Sequence, residues 1–371
     1  MTKKVFIQQK ILEIVKEKPG ISAPKVAELM GISRISAYTH LRSLIELQKI
    51  RIQGNWKATR YFPHESTYIG ANIATDMKGL NSDQVNTLKE EILFALSETY
   101  SELETSENFD VTFEKYCMYI APDDTILTGF YAFLAWCTDP KHNFSDRIVA
   151  KAMEYLEIVG SIEVRRKKHG FLDGTESART NLNGLTEIAF DRFLFYMPSV
   201  LENGFGRTRT AIELYYGKLN NKYLLTHAIE QSIDSIREYT QSGWVDCVIF
   251  TPPTNDRTVQ FRDILENLLS LKLPKIVVVK VPPFGKILQP QKDIKDRRER
   301  VQNAFLSLQV TIPDELSFYK HILILDDSFT TGATPNAIGV KLRNAGYSGK
   351  ITIITICGSF NYDLAITEDE I

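Results

Sequence analysis

The run His321-Ile-Leu-Ile-Leu-Asp-Asp-Ser-Phe-Thr-Thr-Gly-Ala-Thr-Pro-Asn336 constrains this chain more than any other stretch. Ile322 to Leu325 are four consecutive apolar residues, too few for a helix and suited to a strand buried on both faces. The strand runs straight into two carboxylates, Asp326 and Asp327. A turn rich in hydroxyls follows, Thr330-Thr-Gly-Ala-Thr334, and a helix is predicted to begin near Asn336. Strand, polar turn and helix N-terminus together make an anion site, because backbone N–H groups and the helix dipole both favour negative charge there. Two carboxylates beside such a site would repel a phosphate unless they hold hydroxyl groups, which they accept in charge-assisted hydrogen bonds. A ribose 5-phosphate is the simplest ligand with that layout.

The surrounding sequence repeats the strand-and-helix alternation. A helix is predicted over Leu224–Thr240, a strand over Val245–Phe250, a helix over Val259–Leu271, and strands over Lys275–Val281 and Lys350–Ile356. Such alternation predicts a parallel sheet with helices on its faces, whose ligands bind at the carboxyl ends of the strands. The polar loops at 251–258, 282–302 and 326–334 all fall at those ends.

The thirteen residues 322–334 resemble the phosphoribosyl pyrophosphate (PRPP) motif of type I phosphoribosyltransferases: four hydrophobic residues, two acidic, two variable, then Thr-Thr-Gly-Ala-Thr. The resemblance implies that Asp326 and Asp327 hold the ribose 2- and 3-hydroxyls, and that Thr330, Thr331, Gly332, Ala333 and Thr334 wrap the 5-phosphate. It implies that the loop containing Thr254 and Arg257 meets pyrophosphate, with Arg257 as a bidentate partner. Gln289–Phe305 is similar to the Pro-Gln…Arg-Arg…Asn…Ala-Phe stretch of ComF-like members of that group. Lys286, Arg297 and Arg298, with Lys292, Lys295 and Arg300, give this segment a cationic density that would serve as a lid over pyrophosphate; on a solvated helix the same charges would do little. The family's reaction displaces pyrophosphate from C1 of PRPP by a nitrogen nucleophile, with Mg²⁺ arriving on the substrate and held mostly by ligand oxygens and water. Nothing in the sequence identifies an acceptor base. An intact motif establishes capacity for the ligand and leaves open whether it is turned over.

The N-terminus is of another kind. Residues 7–17 carry Ile7, Ile11, Leu12, Ile14 and Val15 at helical spacing, stopped by Pro19-Gly20. Ser22 caps a short helix with Pro24 in its first turn. After Gly31-Ile-Ser33 comes a third helix to about Leu47, with Ala37, Leu41 and Leu44 facing inward. Lys49–Gln53 and Lys57–Phe62 read as a hairpin around Gly54-Asn55-Trp56. This layout resembles the winged helix-turn-helix DNA-binding families of bacterial regulators, in which the third helix enters the major groove. The resemblance makes Arg34, Ser36, Tyr38, Thr39 and Arg42 the outward face of that helix, with Arg51, Lys57 and Arg60 bringing the wing to phosphates. Residues 1–64 hold twelve Lys/Arg against four Asp/Glu, a charge of +8 in a chain whose net charge is −2, so the remainder carries −10. A basic head on an acidic body points to polyanions. A docking or dimerisation module is the other reading.

Residues 65–205 are expected to be mostly helical, with helices over Ser82–Tyr100, Leu127–Trp136, Ser145–Gly160 and Leu185–Met197. A strand-like Ser161–Lys168 admits a degenerate second winged helix. The aromatics Phe130, Tyr131, Phe133, Trp136, Phe190, Phe193, Phe195 and Tyr196 read as core. Gly204-Phe-Gly206 is the expected boundary, which divides the 371 residues into domains 1–64, 65–205 and 206–371. The fold class expected is a type I phosphoribosyltransferase α/β domain at the C-terminus, behind a winged helix and a helical middle.

Cys117, Cys137, Cys247 and Cys357 are far apart and form no metal-ligand spacing, so buried thiols, no protein-held metal and a reducing cytoplasmic setting are expected. No apolar run approaches a membrane span. Three functions fit: a DNA-binding regulator or effector sensing PRPP or a nucleotide; an active phosphoribosyltransferase whose head only docks it; or a toxic effector of a retron-type anti-phage system that binds reverse-transcribed DNA. Partners expected are duplex or retron-type DNA, PRPP or a nucleotide, and a second copy or partner protein.

Overall fold

The computed structural model describes residues 7, 10–15, 18, 20–46, 50–53, 60–63, 82–99, 106–121, 125–219, 221–242, 244–253, 260–283, 294 and 296–360. They form two compact units, one of residues 1–160 with 219–221 and the other of 161–218 with 222–371.

The first unit opens with helical residues 10–15, followed by α1 (Ala23–Met30) and α2 (Arg34–Glu46). Gly31 ends α1 in the left-handed region (φ 62°), and the Ser33 hydroxyl caps α2 by accepting from the Ser36 N–H at 3.1 Å. Strands β1 (Ile50–Gln53) and β2 (Arg60–Pro63) pair antiparallel, and Ile21 bridges to Tyr61 as a third strand element. Ile11, Val15, Val26, Ala37, Leu41, Leu44, Ile50 and Tyr61 close one core beneath this hairpin. Burial pushes the Tyr61 phenol up to about 12, with the nearby Tyr38 adding to it.

The remainder of this unit contains α3 (Ser82–Thr99), α4 (Ser106–Tyr116), the short hairpin β3 (Met118–Ile120) with β4 (Ile126–Thr128), α5 (Gly129–Thr138) and α6 (Ile148–Arg165). Phe109, Phe113, Phe130, Phe133 and Tyr155 interlock, Phe113 stacking on Tyr155 at 5.0 Å between centroids. The strand-like reading of Ser161–Lys168 is corrected: α6 is helical to Arg165, and Lys168–Gly170 is a 3₁₀ turn. Gly160 does not stop the helix, because an interior glycine costs only about 1 kcal/mol against alanine. The strand that a second winged helix would need there is absent.

The second unit is organised by a five-stranded sheet of order β5-β6-β13-β12-β9. Its members are β5 (Leu172–Asp173), β6 (Arg192–Pro198), β9 (Cys247–Phe250), β12 (His321–Ser328) and β13 (Lys350–Gly358). Four run parallel, and only the edge strand β5 is antiparallel. Ile322–Leu325 are at most 1% exposed, as the unbroken apolar run demanded. Around the sheet lie α7 (Thr175–Leu182), α8 (Arg209–Gly217), α9 (Lys222–Ser242), α10 (Phe261–Leu269), α11 (Arg297–Ser307) and α12 (Ala333–Asn344).

Three expectations change here. The predicted helix over Leu185–Met197 is instead irregular backbone to residue 191 and then β6, a full member of the sheet. Phe193-Leu-Phe-Tyr-Met197 is a continuous apolar run without helical period, and its aromatic content favours a strand. Gly204-Phe-Gly206 is no boundary but belongs to the small hairpin of β7 (Val200–Leu201) and β8 (Gly206–Arg207) within this unit, so the sheet draws on residues well before 206. Lys275–Val281 is not one parallel strand. Lys275 bridges to Val248, and the chain then leaves the sheet as β10 (Val278–Lys280), pairing antiparallel with β11 (Leu308–Val310). The aromatics expected on a helix keep their buried character: Phe190, Phe193 and Phe195 are at most 4% exposed. Among the described residues no helix is long and apolar enough to cross a membrane.

Candidate ribose-phosphate site and nucleic-acid interface

Strand register brings the acidic pair to the carboxyl end of the sheet. Leu325 pairs with Phe250, which sets Thr251 beside Asp326. The Thr251 hydroxyl donates to Asp326 Oδ1 at 2.6 Å, and the Asp327 N–H reaches the same oxygen at 2.9 Å. Asp327 faces the Lys218 ammonium at 2.7 Å and accepts from the Ser328 hydroxyl at 2.7 Å. Lys280, at the end of β10, adds a half-buried cation whose pKa is lowered by desolvation against the pull of both carboxylates.

These surroundings separate the two acids. Burial pushes the Asp326 carboxyl up to about 6, and the charge of Asp327 adds to it. Burial acts on Asp327 as well, but the Lys218 charge and hydrogen bond, with the Ser328 hydroxyl, hold it below the ordinary carboxylate range. Two acids and two lysines leave the cluster close to neutral, with an ionised Asp327 and an Asp326 that takes a proton near pH 6.

A stability consequence follows. Because Asp326 binds its proton more tightly folded than unfolded, its contribution to stability falls as pH rises from about 4 to about 6. Asp326→Asn is therefore expected to raise the urea midpoint at pH 7.5, by on the order of 1–2 kcal/mol of stability, and to lose about half of that advantage at pH 5. Urea titrations of both chains at the two pH values check it. An equal effect at both would place the raised pKa elsewhere.

The turn after β12 is held from beneath. Phe329 is 1% exposed and meets Phe193 of β6 at 4.4 Å between centroids. The Asn181 amide of α7 donates to the Thr330 carbonyl at 3.1 Å, and the Thr331 hydroxyl accepts from the Ala333 N–H at 3.2 Å. Gly332 caps α12 at φ 77°, and a Cβ there would stand 3.0 Å from the Phe193 ring. Glycine is required on both counts. The helix begins at Ala333 rather than near Asn336, so Thr334 lies in its first turn. Asn336, 1% exposed, instead pins the preceding segment through the Ala189 N–H at 3.0 Å and the Glu187 carbonyl at 2.9 Å.

Asp326, Asp327 and Thr330–Thr334 thus converge at one strand end and helix N-terminus. Thr254, Arg257 and Lys286 lie outside the described residues. Arg297 and Arg298 occupy the first turn of α11, a helix packed on α12, and line a cleft with Asn181. Arg300, counted by sequence among the surface cations, is 7% exposed and donates to the Ile294 carbonyl, so it holds the helix entry instead. Among the described residues no group of three His, Cys, Asp or Glu side chains is placed to hold a metal.

Sequence reasoning missed Thr251, Lys280, Lys218 and Asn181. The first two sit where apolar strand runs end and were findable on that signal. Lys218 and Asn181 belong to helices with no motif, and only the fold brings them here.

On α2, Arg34, Tyr38, Thr39 and Arg42 are exposed, while Ala37, Leu41 and Leu44 are buried, so the outward face is the one expected. Ser36 is half-buried and spends its N–H on the Ser33 cap. Arg60 is half-buried on β2; Lys57 lies outside the described residues. Comparison with curated protein sequences returns no match. Residues 7–51 match the family described as winged helix-turn-helix DNA-binding. Residues 7–51 therefore form a winged helix-turn-helix DNA-binding domain, which supports DNA as a partner.

Proposed function

We propose that this protein is a DNA-binding regulator or effector whose second unit binds a ribose 5-phosphate, with PRPP as the ligand the motif best fits. The observation that carries this reading is the placement of Asp326 and Asp327 between the hydroxyl of Thr251 and the glycine-capped N-terminus of α12. This supports the reading because carboxylate oxygens can accept sugar hydroxyls, and the N–H groups of a helix N-terminus can receive a phosphate.

In this reading the ionised Asp327 and the Asp326 carboxylate orient the sugar through its 2- and 3-hydroxyls. The threonine turn receives the 5-phosphate, and Lys218 and Lys280 balance the acids until the ligand arrives. Magnesium fits as a companion of the ligand: the carboxylates are hard oxygen donors but too few to cage it, so ligand oxygens and water complete its shell. When bound, it would neutralise pyrophosphate charge. The chain's own work would be binding and orientation.

The winged helix-turn-helix domain at residues 7–51 favours a sensing role over a second reading, phosphoribosyl transfer. Pyrophosphate release separates the two. Full-length protein supplied with PRPP, magnesium and a panel of purine, pyrimidine and nicotinamide-type bases is expected to bind PRPP by calorimetry and to release no pyrophosphate above the uncatalysed rate. Turnover with any base would replace sensing by catalysis. Absence of any PRPP binding would overturn both.

A further inference from the structure

The threonine turn borders a second feature that the ribose-phosphate reading does not use. An open cleft of about 390 Å³ is lined by Asn181, Asn183, Leu185, Asp296, Arg297 and Arg298, among others. That size suits a nucleotide-sized group. Asn181 links it to the turn, because the same side chain that lines the cleft donates to the Thr330 carbonyl at 3.1 Å.

Helix packing accounts for the arrangement. Lys341 of α12 lies over the Phe305 ring of α11 at 4.2 Å, and each stands eight residues in from its helix start, Ala333 and Arg297. Asn181, which lines the cleft with Arg297 and Arg298, bonds to Thr330 just before α12, so the starts of α11 and α12 both lie beside α7. The 5-phosphate position at α12 is thereby flanked by the first turn of α11 and its two arginines. Asp296 is the one acid of the lining, and its Oδ1 is used in capping, accepting from the Glu299 N–H at 2.9 Å. Two guanidiniums against one engaged carboxylate leave the cleft cationic. Arginine forks suit phosphoryl oxygens, the exposed Asn183 amide suits the polar edge of a base, and Leu185 offers an apolar surface.

We propose that this cleft is a second phosphoryl-binding subsite, so that beside PRPP the site takes a ribose whose 5-phosphate continues into a further phosphate and nucleoside. The proposal rests on the ribose-phosphate reading and specifies its ligand class. It assigns Arg297 and Arg298 to the wall of a subsite beyond the 5-phosphate, in place of a lid over pyrophosphate.

Two probes test it on the full chain by calorimetry: ribose 5-phosphate, and ADP-ribose, which carries the same terminal ribose with its 5-phosphate linked on to adenosine monophosphate. ADP-ribose is expected to bind at least about tenfold more tightly, since one charge-assisted hydrogen bond suffices for that factor. Arg297→Ala with Arg298→Ala should bring ADP-ribose down to the level of ribose 5-phosphate and leave the latter within about twofold. Asn183→Asp, at the exposed C-cap of α7, should weaken ADP-ribose alone by placing a like charge in the cleft. Equal affinities of the two probes for the wild-type chain would overturn the subsite, as would equal loss of both in the arginine variant. Binding of neither would overturn the ribose-phosphate reading, and the subsite with it.

Discussion

Replacing Asp326 and Asp327 together by asparagine is expected to reduce PRPP·Mg²⁺ binding at least about 100-fold, to the point of disappearance in calorimetry. Each carboxylate is assigned one or more sugar hydroxyls, and a hydrogen bond to a charged group contributes about 1.5–3 kcal/mol. Two such losses exceed the roughly 2.7 kcal/mol that a 100-fold change requires. The direction is informative in itself. Removing two negative charges from beside a polyanion would, by Coulomb's law alone, tighten its binding. A loss therefore reports the hydroxyl contacts, whereas unchanged or improved affinity would remove the site assignment. The variant should fold, because asparagine can still accept from the Thr251 hydroxyl and the Asp327-position N–H stays where it is. Burial already disfavours the charge on Asp326, so its neutral isostere relieves a cost.

The second large effect concerns DNA. Arg34→Ala with Arg42→Ala is expected to weaken duplex binding about 10- to 100-fold at low salt. It should also flatten the dependence of log K on log salt by about 1.8, near 0.9 for each lost phosphate contact. Both residues lie on the exposed face of α2, away from the core of Ala37, Leu41 and Leu44, so folding should be little affected. Fluorescence anisotropy across a salt series reads both quantities. An unchanged slope would move the contact surface off this helix and toward the wing strands, where Arg60 sits. The two experiments touch separate units, and neither outcome presupposes the other.

Much of the fold is legible in the sequence, for physical reasons. The winged helix was legible because its signals are local: Ser33 before α2, Gly31 after α1, and a three-to-four-residue period in the apolar positions. The acidic pair and the threonine turn were legible because a strand, its polar end and a helix start lie consecutively in one segment. Where apolar runs lack a period the reading failed. Phe193–Met197 carries the same pattern whether helical or extended, and only pairing with β13 made it a strand. Lys275–Val281 likewise looked like one strand, yet it is divided between a single bridge to Val248 and a ribbon with β11.

Local sequence alone determined the candidate residues: the carboxylates, the threonine turn with its glycine, and the basic face of α2. The tertiary structure decided what surrounds them. Lys218 comes from 109 positions earlier in the chain to meet Asp327, Thr251 from 75 earlier to meet Asp326, and Asn181 from 149 earlier to hold the turn. The physical reason is that hydrogen bonds, burial and charge pairing act through space over a few ångströms, whereas a motif records only neighbours along the chain. A carboxyl raised to about 6 beside one held below its ordinary range is a property of that assembled neighbourhood, which the pair Asp-Asp, read as letters, does not contain.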